Sequence, residues 1–70
     1  MRMTYDPEAD AAYVYLVDEI GAGEVERTVP VDPVEIGGMI NLDFDADGYL
    51  LGIEILDASK FLPPELLRGS

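Results

Sequence analysis

Hydrophobic and polar positions alternate with strand period along most of the chain, and short clusters of Pro, Gly and Asp punctuate them. Met1 to Tyr5 reads as a short strand, ended by Asp6-Pro7-Glu8-Ala9-Asp10. Ala12-Tyr13-Val14-Tyr15-Leu16-Val17 is a strong strand, rich in aromatic and β-branched residues. Both of its faces are apolar, which predicts a central position covered on each side. After the turn Asp18-Glu19-Ile20-Gly21-Ala22-Gly23, residues Glu24 to Val31 alternate. Val25, Arg27, Val29 and Val31 share one face, and Glu24, Glu26 and Thr28 the other. Pro30 lacks an amide hydrogen and so predicts a sheet edge or a strand end.

A turn over Asp32 to Gly38, with Pro33 and the Gly37-Gly38 pair, leads to the clearest alternation. There Ile40, Leu42 and Phe44 oppose Asn41 and Asp43. Asp45-Ala46-Asp47-Gly48 is a turn signal, with Gly48 suited to the left-handed conformation that closes hairpins. Tyr49 to Leu56 returns as a strand. A four-residue loop would set Phe44 opposite Tyr49, Leu42 opposite Leu51 and Ile40 opposite Ile53, collecting one continuous apolar face. Asp57 to Lys60 then reads as a helix start with Asp57 as N-cap. Pro63 interrupts it, and Pro64 opens a second short turn through Arg68, with Leu62, Leu66 and Leu67 set to pack on the sheet or on a neighbouring subunit. The pattern predicts a mainly β (α+β) fold, a small antiparallel sheet of four or five strands with a short C-terminal helical segment. It forms one small domain over residues 1–70.

Composition narrows the chemistry. Fifteen Asp and Glu against four Lys and Arg give a formal charge of −11, with no His, Cys or Trp. Disulfides, thiolate nucleophiles, Cys/His zinc sites and imidazole acid–base catalysis are therefore excluded. A charge of this sign repels phosphate backbones, so no direct nucleic-acid partner is expected. Apolar runs fall far short of a bilayer span and no signal-peptide pattern opens the sequence, so neither a membrane partner nor export is expected, and a cytoplasmic location is. A core of this size supplies about 3–5 kcal/mol, and without disulfides or a Cys/His metal site the reinforcement left is self-association or a carboxylate-bound cation, of which a homodimer is the expected one.

Asp43, Asp45, Asp47, Gly48 and Glu54 match D-x-D-x-D-G-x5-E, the spacing of an EF-hand calcium loop. An EF-hand loop is flanked by helices, whereas both flanks here have strand period. Glu54 would then lie four residues past the partner of Asp43, roughly 13 Å away at 3.3 Å per residue, too far to close on a shared ion. Weak cation binding by Asp43, Asp45 and Asp47 is the alternative this turn offers. Other chemistry fails on geometry. Paired carboxylates need a cleft, neighbouring Ser59 and Lys60 point apart, and Gly21-Ala22-Gly23 lacks the third Gly of a dinucleotide loop. The tyrosines at 5, 13, 15 and 49 lack basic companions for nucleic-acid stacking. No catalytic residue is assigned, no cofactor is expected, and the chain reads as a non-enzyme.

Two blocks carry a family resemblance. The first is Tyr5-Asp6-Pro7-Glu8-Ala9-Asp10-Ala11-Ala12-Tyr13-Val14-Tyr15-Leu16. The second runs Leu42-Asp43-Phe44-Asp45-Ala46-Asp47-Gly48, then Gly52-Ile53-Glu54-Ile55-Leu56-Asp57-Ala58-Ser59. Together they resemble a small prokaryotic family catalogued as domain of unknown function 2283. The stretch from Val29 to Met39 is longer and richer in Pro and Gly than is usual there. The resemblance implies a compact β-rich domain and transfers no catalytic or binding residue. Genes of that family often sit beside a small toxin-like gene, which implies an antitoxin-like role. An acidic surface is compatible with this, since it can occupy sites on a basic ribonuclease that phosphate would use. The expected partner is thus a basic protein such as a toxin, met by Glu24, Glu26, Asp43, Asp45 and Asp47.

Overall fold

A computed structural model describes residues 1–68; Gly69 and Ser70 lie outside the described residues. Five strands, β1 (Arg2–Asp6), β2 (Ala11–Tyr15), β3 (Arg27–Pro30), β4 (Ile40–Phe44) and β5 (Leu50–Leu56), form one sheet. Their spatial order is β1-β2-β5-β4-β3 and every neighbouring pair is antiparallel. Three short helices complete the chain, α1 (Pro33–Ile36), α2 (Ala58–Phe61) and α3 (Pro64–Arg68). The mainly β architecture with helical turns at the C-terminus is therefore as the alternation predicts, and Pro30 ends an edge strand.

Because side chains alternate across a strand, the registers sort the residues onto two faces. Met3 and Tyr5 of β1, Ala12 and Val14 of β2, Ile53 and Ile55 of β5, and Ile40 of β4 pack with Phe61, Leu62 and Leu67 from the C-terminal segment. Ala12, Ile55 and Ala58 are buried at the centre of this cluster, where the small Ala58 side chain lets α2 approach the sheet. The opposite face carries Thr4, Tyr13, Tyr15, Gly52, Glu54, Asn41, Asp43 and Thr28. An antiparallel sheet tolerates one solvated face, and this is that face. The expectation that β2 is covered on both sides is corrected here. β1 and β5 flank it, but Tyr13 and Tyr15 point to the polar face, where their hydroxyls and rings find lateral partners.

The β4–β5 register also differs from the expected one. Ile40 pairs with Ile55 and Leu42 with Ile53, two residues further along β5 than a four-residue loop would give. Half the shift comes from the loop. Asp45 N donates to Tyr49 O at 2.9 Å and Gly48 N to Asp45 O at 3.1 Å, leaving a three-residue connection. Gly48, at φ +88, takes the left-handed position of such a loop. The other half comes from a bulge. Asp43 faces Gly52 while Phe44 faces Leu50, so Leu51 is the extra residue, and it is buried.

Local chemistry accounts for the other departures. Asp32 caps α1 through its side chain, Pro33 opens that helix and Gly37 closes it in the left-handed conformation, so the expected Asp32–Gly38 turn contains one helical turn. Asp57 does not cap α2. Its φ of 51 turns the chain sharply out of β5 and its side chain makes no cap bond. Asp10 does that work from the β1–β2 turn. Its carboxylate accepts from Ser59 N at 3.0 Å and Ser59 Oγ at 2.6 Å, and its carbonyl accepts from Ala58 N at 2.8 Å.

Candidate functional site

The polar face is tied together across four strands. Asp43 on β4 is the hub: Thr28 Oγ1 on β3 donates to its Oδ1 at 2.6 Å, and the Tyr13 hydroxyl on β2 donates to its Oδ2 at 2.5 Å. Tyr13 must cross β5 to reach it, and it does so over Gly52. A β-carbon on residue 52 would lie 2.5 Å from Tyr13 Cε1 and 2.7 Å from its Cζ, so the glycine is a steric requirement of the network. Beside this crossing, Asn41 Nδ2 donates to Glu54 Oε1 at 2.9 Å. The Tyr15 ring meets the Tyr13 ring at a tilt of 51°, centroids 4.7 Å apart, and the Arg2 guanidinium lies 3.8 Å over the Tyr15 ring. Thr4, Asp6, Tyr13 and Glu54 help to line a shallow depression of about 210 Å³ next to the crossing.

Hydrogen bonding and burial set the electrostatics of this face. Burial, reinforced by the hydrogen bond to Asp43, pushes the Tyr13 phenol well above its ordinary value, so it donates and does not ionise near neutrality. Asp43 accepts from two hydroxyls, one on each of its carboxylate oxygens. A second linked pair sits at the β1–β2 turn, where the Tyr5 hydroxyl donates to Asp10 Oδ1 at 2.8 Å. Bonds from Ser59 and then from Tyr5 hold the Asp10 carboxyl below its ordinary value, and the same bond to Asp10 holds the Tyr5 phenol above its own.

Of the acidic residues expected to meet a partner, Glu24, Glu26, Asp43, Asp45 and Asp47, Asp43 is the one whose side chain bonds within the face network. Asp45 is committed to its turn, with Oδ1 accepting from Asp47 N at 3.0 Å and Tyr49 N at 2.9 Å. Glu24 Oε1 accepts from Gly21 N at 2.5 Å in the β2–β3 connection. Glu26 N bonds Phe44 O, which places Glu26 at the sheet end that holds the 45–48 turn. The 13 Å separation of Glu54 from Asp43 is corrected: the shorter loop and the bulge together put Glu54 only two residues beyond the partner of Asp43, roughly 7 Å along the strand and on the same face. Both carboxylates are nonetheless engaged by different donors, and among the described residues no three His, Cys, Asp or Glu gather as a metal site.

Sequence reasoning missed Tyr13, Thr28, Glu54 and Asp10 as organising residues. The signal that points to the first was present: Gly52 interrupts an apolar strand, as a glycine does where another group must cross. Among the described residues no helix is long and apolar enough to cross a membrane. A family model described as protein of unknown function (DUF2283) matches residues 2–59, which span the whole sheet and the start of α2. No curated protein and no solved structure matches the chain.

Proposed function

The chain belongs to the DUF2283 family of proteins of unknown function, and from that premise we propose that it is a non-catalytic interaction module whose acidic surface receives a basic protein. One observation carries the reading: the formal charge is −11, and among the described residues no charged side chain is buried. Three of its four basic side chains are turned onto rings and carbonyls. Arg2 lies over Tyr15 and donates to Asp18 O, Arg27 lies 4.9 Å over Phe44, and Lys60 donates to Gly37 O beside Phe61. None of these contacts is with a carboxylate, so the acidic groups keep their charge for an external cation.

Two regions suit such a partner. The polar face sets Asp43 and Glu54 beside tyrosine rings, and a guanidinium can lie on a tyrosine face while pairing with a carboxylate. The sheet end holds Glu26 with Asp45 and Asp47 of the turn, and Glu24 precedes it. A basic nuclease of the toxin type has the matching chemistry, because its phosphate-binding surface is cationic. The test is capture of partners by the tagged chain from its source cells across a salt series. A stoichiometric basic protein that dissociates as salt rises supports the module, and recovery of the chain without a basic protein at physiological salt refutes it.

A further inference from the structure

We propose that the chain pairs with a second copy of itself along β1, edge to edge and antiparallel, with a twofold axis through Thr4. The two sheets then join into one of ten strands. This goes beyond partner binding and does not depend on it.

The two edges of the sheet are unequal. β3 is four residues long and contains Pro30, which has no amide hydrogen to offer a neighbouring strand. β1 is five residues long, free of Pro and Gly, and extended throughout. Among the described residues its backbone ladder is with β2 alone, which leaves one row of its amides and carbonyls facing outward.

The sequence of β1 is complementary to itself. Opposed residues in an antiparallel pair share a face, so a twofold pairing must centre on a residue. Centred on Thr4, it uses the whole strand. Arg2 meets Asp6 of the second copy at both ends, Met3 meets Tyr5, and Thr4 meets Thr4. On one face this makes two ion pairs, for which each Arg2 guanidinium swings outward from the Tyr15 ring and gives up its 3.4 Å bond to Asp18 O. On the other it brings together Met3 and Tyr5, which already pack against the buried cluster, so the apolar layer runs across the junction. Centring on Met3 or Tyr5 instead leaves Arg2 or Asp6 opposite Thr4 and loses the charge match. Asp6 is held ready for this role, its Oδ1 accepting from Glu8 N at 3.0 Å and Ala9 N at 3.4 Å, with Oδ2 outside those two bonds. A small chain with no large side chain fully buried among its described residues gains most from such an extension.

Sedimentation equilibrium at 0.15 M salt tests the proposal, with circular dichroism confirming that each variant folds. The parent chain is expected to be a dimer. Arg2→Glu and Asp6→Lys should each weaken self-association at least tenfold, whereas Arg27→Glu, carrying the same charge change as Arg2→Glu but on β3 at the opposite edge of the sheet, should not. Mixing the Arg2→Glu and Asp6→Lys chains should restore a dimer containing one of each, because every end pair is again complementary. Thr4→Cys supplies a lone cysteine in a chain that has none, and mild oxidation should link it to its twin, while Arg2→Cys should not self-link. A monomeric parent, single variants that dimerise as the parent does, or a mixture that stays monomeric would each overturn the β1 interface.

Discussion

Replacing Gly52 by Ala tests the polar face directly, because the outcome should change sign with the residue at position 13. The glycine backbone here is ordinary extended strand, so on local grounds Ala should stabilise by about 0.5–1 kcal/mol through the unfolded chain. The new β-carbon, however, would sit within 2.5 Å of the Tyr13 ring. Tyr13 must then swing off β5, give up its 2.5 Å bond to Asp43 and leave its tilted ring contact with Tyr15. A bond to an ionised acceptor contributes about 1.5–3 kcal/mol when buried, and on this half-exposed face about 1–1.5. The ring contact adds about 0.5. The net expectation is a loss of about 1 kcal/mol, or roughly 4–8 °C in melting temperature for a domain of this size. In a Tyr13→Ala background the obstacle is gone, and Gly52→Ala should stabilise by about 0.7 kcal/mol. Urea unfolding of the four chains at one fixed protein concentration gives the coupling, expected near 2 kcal/mol. Equal effects of Gly52→Ala in both backgrounds would refute the claim that this glycine exists to let Tyr13 cross.

Two further outcomes follow from the turns. Ionisation of Asp10, whose carboxyl is held low by Ser59 and Tyr5, stabilises the fold above roughly pH 4 and is lost as pH falls through its folded value. Amide protection factors over Ala58–Leu62, corrected for the intrinsic slowing of exchange in acid, should therefore fall as pH is lowered, and Asp10→Asn should show the lower protection already at neutral pH. Tyr5 behaves oppositely, its raised phenol contributing below about pH 10 and losing that contribution as pH rises through the folded value. Gly48→Ala should cost about 1–2 kcal/mol in urea unfolding, purely from the backbone, since φ is +88 and no atom lies within 4 Å of the added carbon.

What could be read from the residues, and what could not, divides by range. The strands of Met39 to Phe44 and Tyr49 to Leu56 were legible because alternation is local, and Pro30 disclosed its edge because a missing amide is local too. The bulge was hidden since Leu50 and Leu51 are both apolar, so an extra residue between them leaves the hydrophobic pattern undisturbed. Asp57 looked like a cap by sequence neighbourhood, yet the cap of α2 is Asp10, 49 residues away from Ser59. Nothing in a local window distinguishes one Asp from the other. The Tyr13–Asp43 bond, 30 residues apart, was foreshadowed only by Gly52. In the candidate site, acidic residues were picked by density along the chain, whereas strand register decides which of them share a face.

Self-association and capture of a basic partner should respond to salt in opposite directions, and the charge sets how strongly. Two copies joined through β1 have their centres five strand spacings apart, about 24 Å. Two charges of −11 at that distance repel by about 20 kcal/mol in unscreened water. At 0.01 M salt, with a Debye length near 30 Å, about 9 kcal/mol remains; at 0.15 M, with 8 Å, about 1. The two Arg2–Asp6 pairs lose attraction over the same range, but exposed pairs contribute only about 0–1 kcal/mol each, far less than the repulsion removed. Raising salt from 0.01 to 0.15 M should therefore tighten the dimer by several orders of magnitude, while the same change loosens any complex with a cationic protein. Light scattering across that range, with and without a basic model protein such as a polylysine-tagged carrier, separates the two. A dimer that weakens steadily with salt would show that the joining surface is held by opposite charges and not by the strand edge with its apolar face.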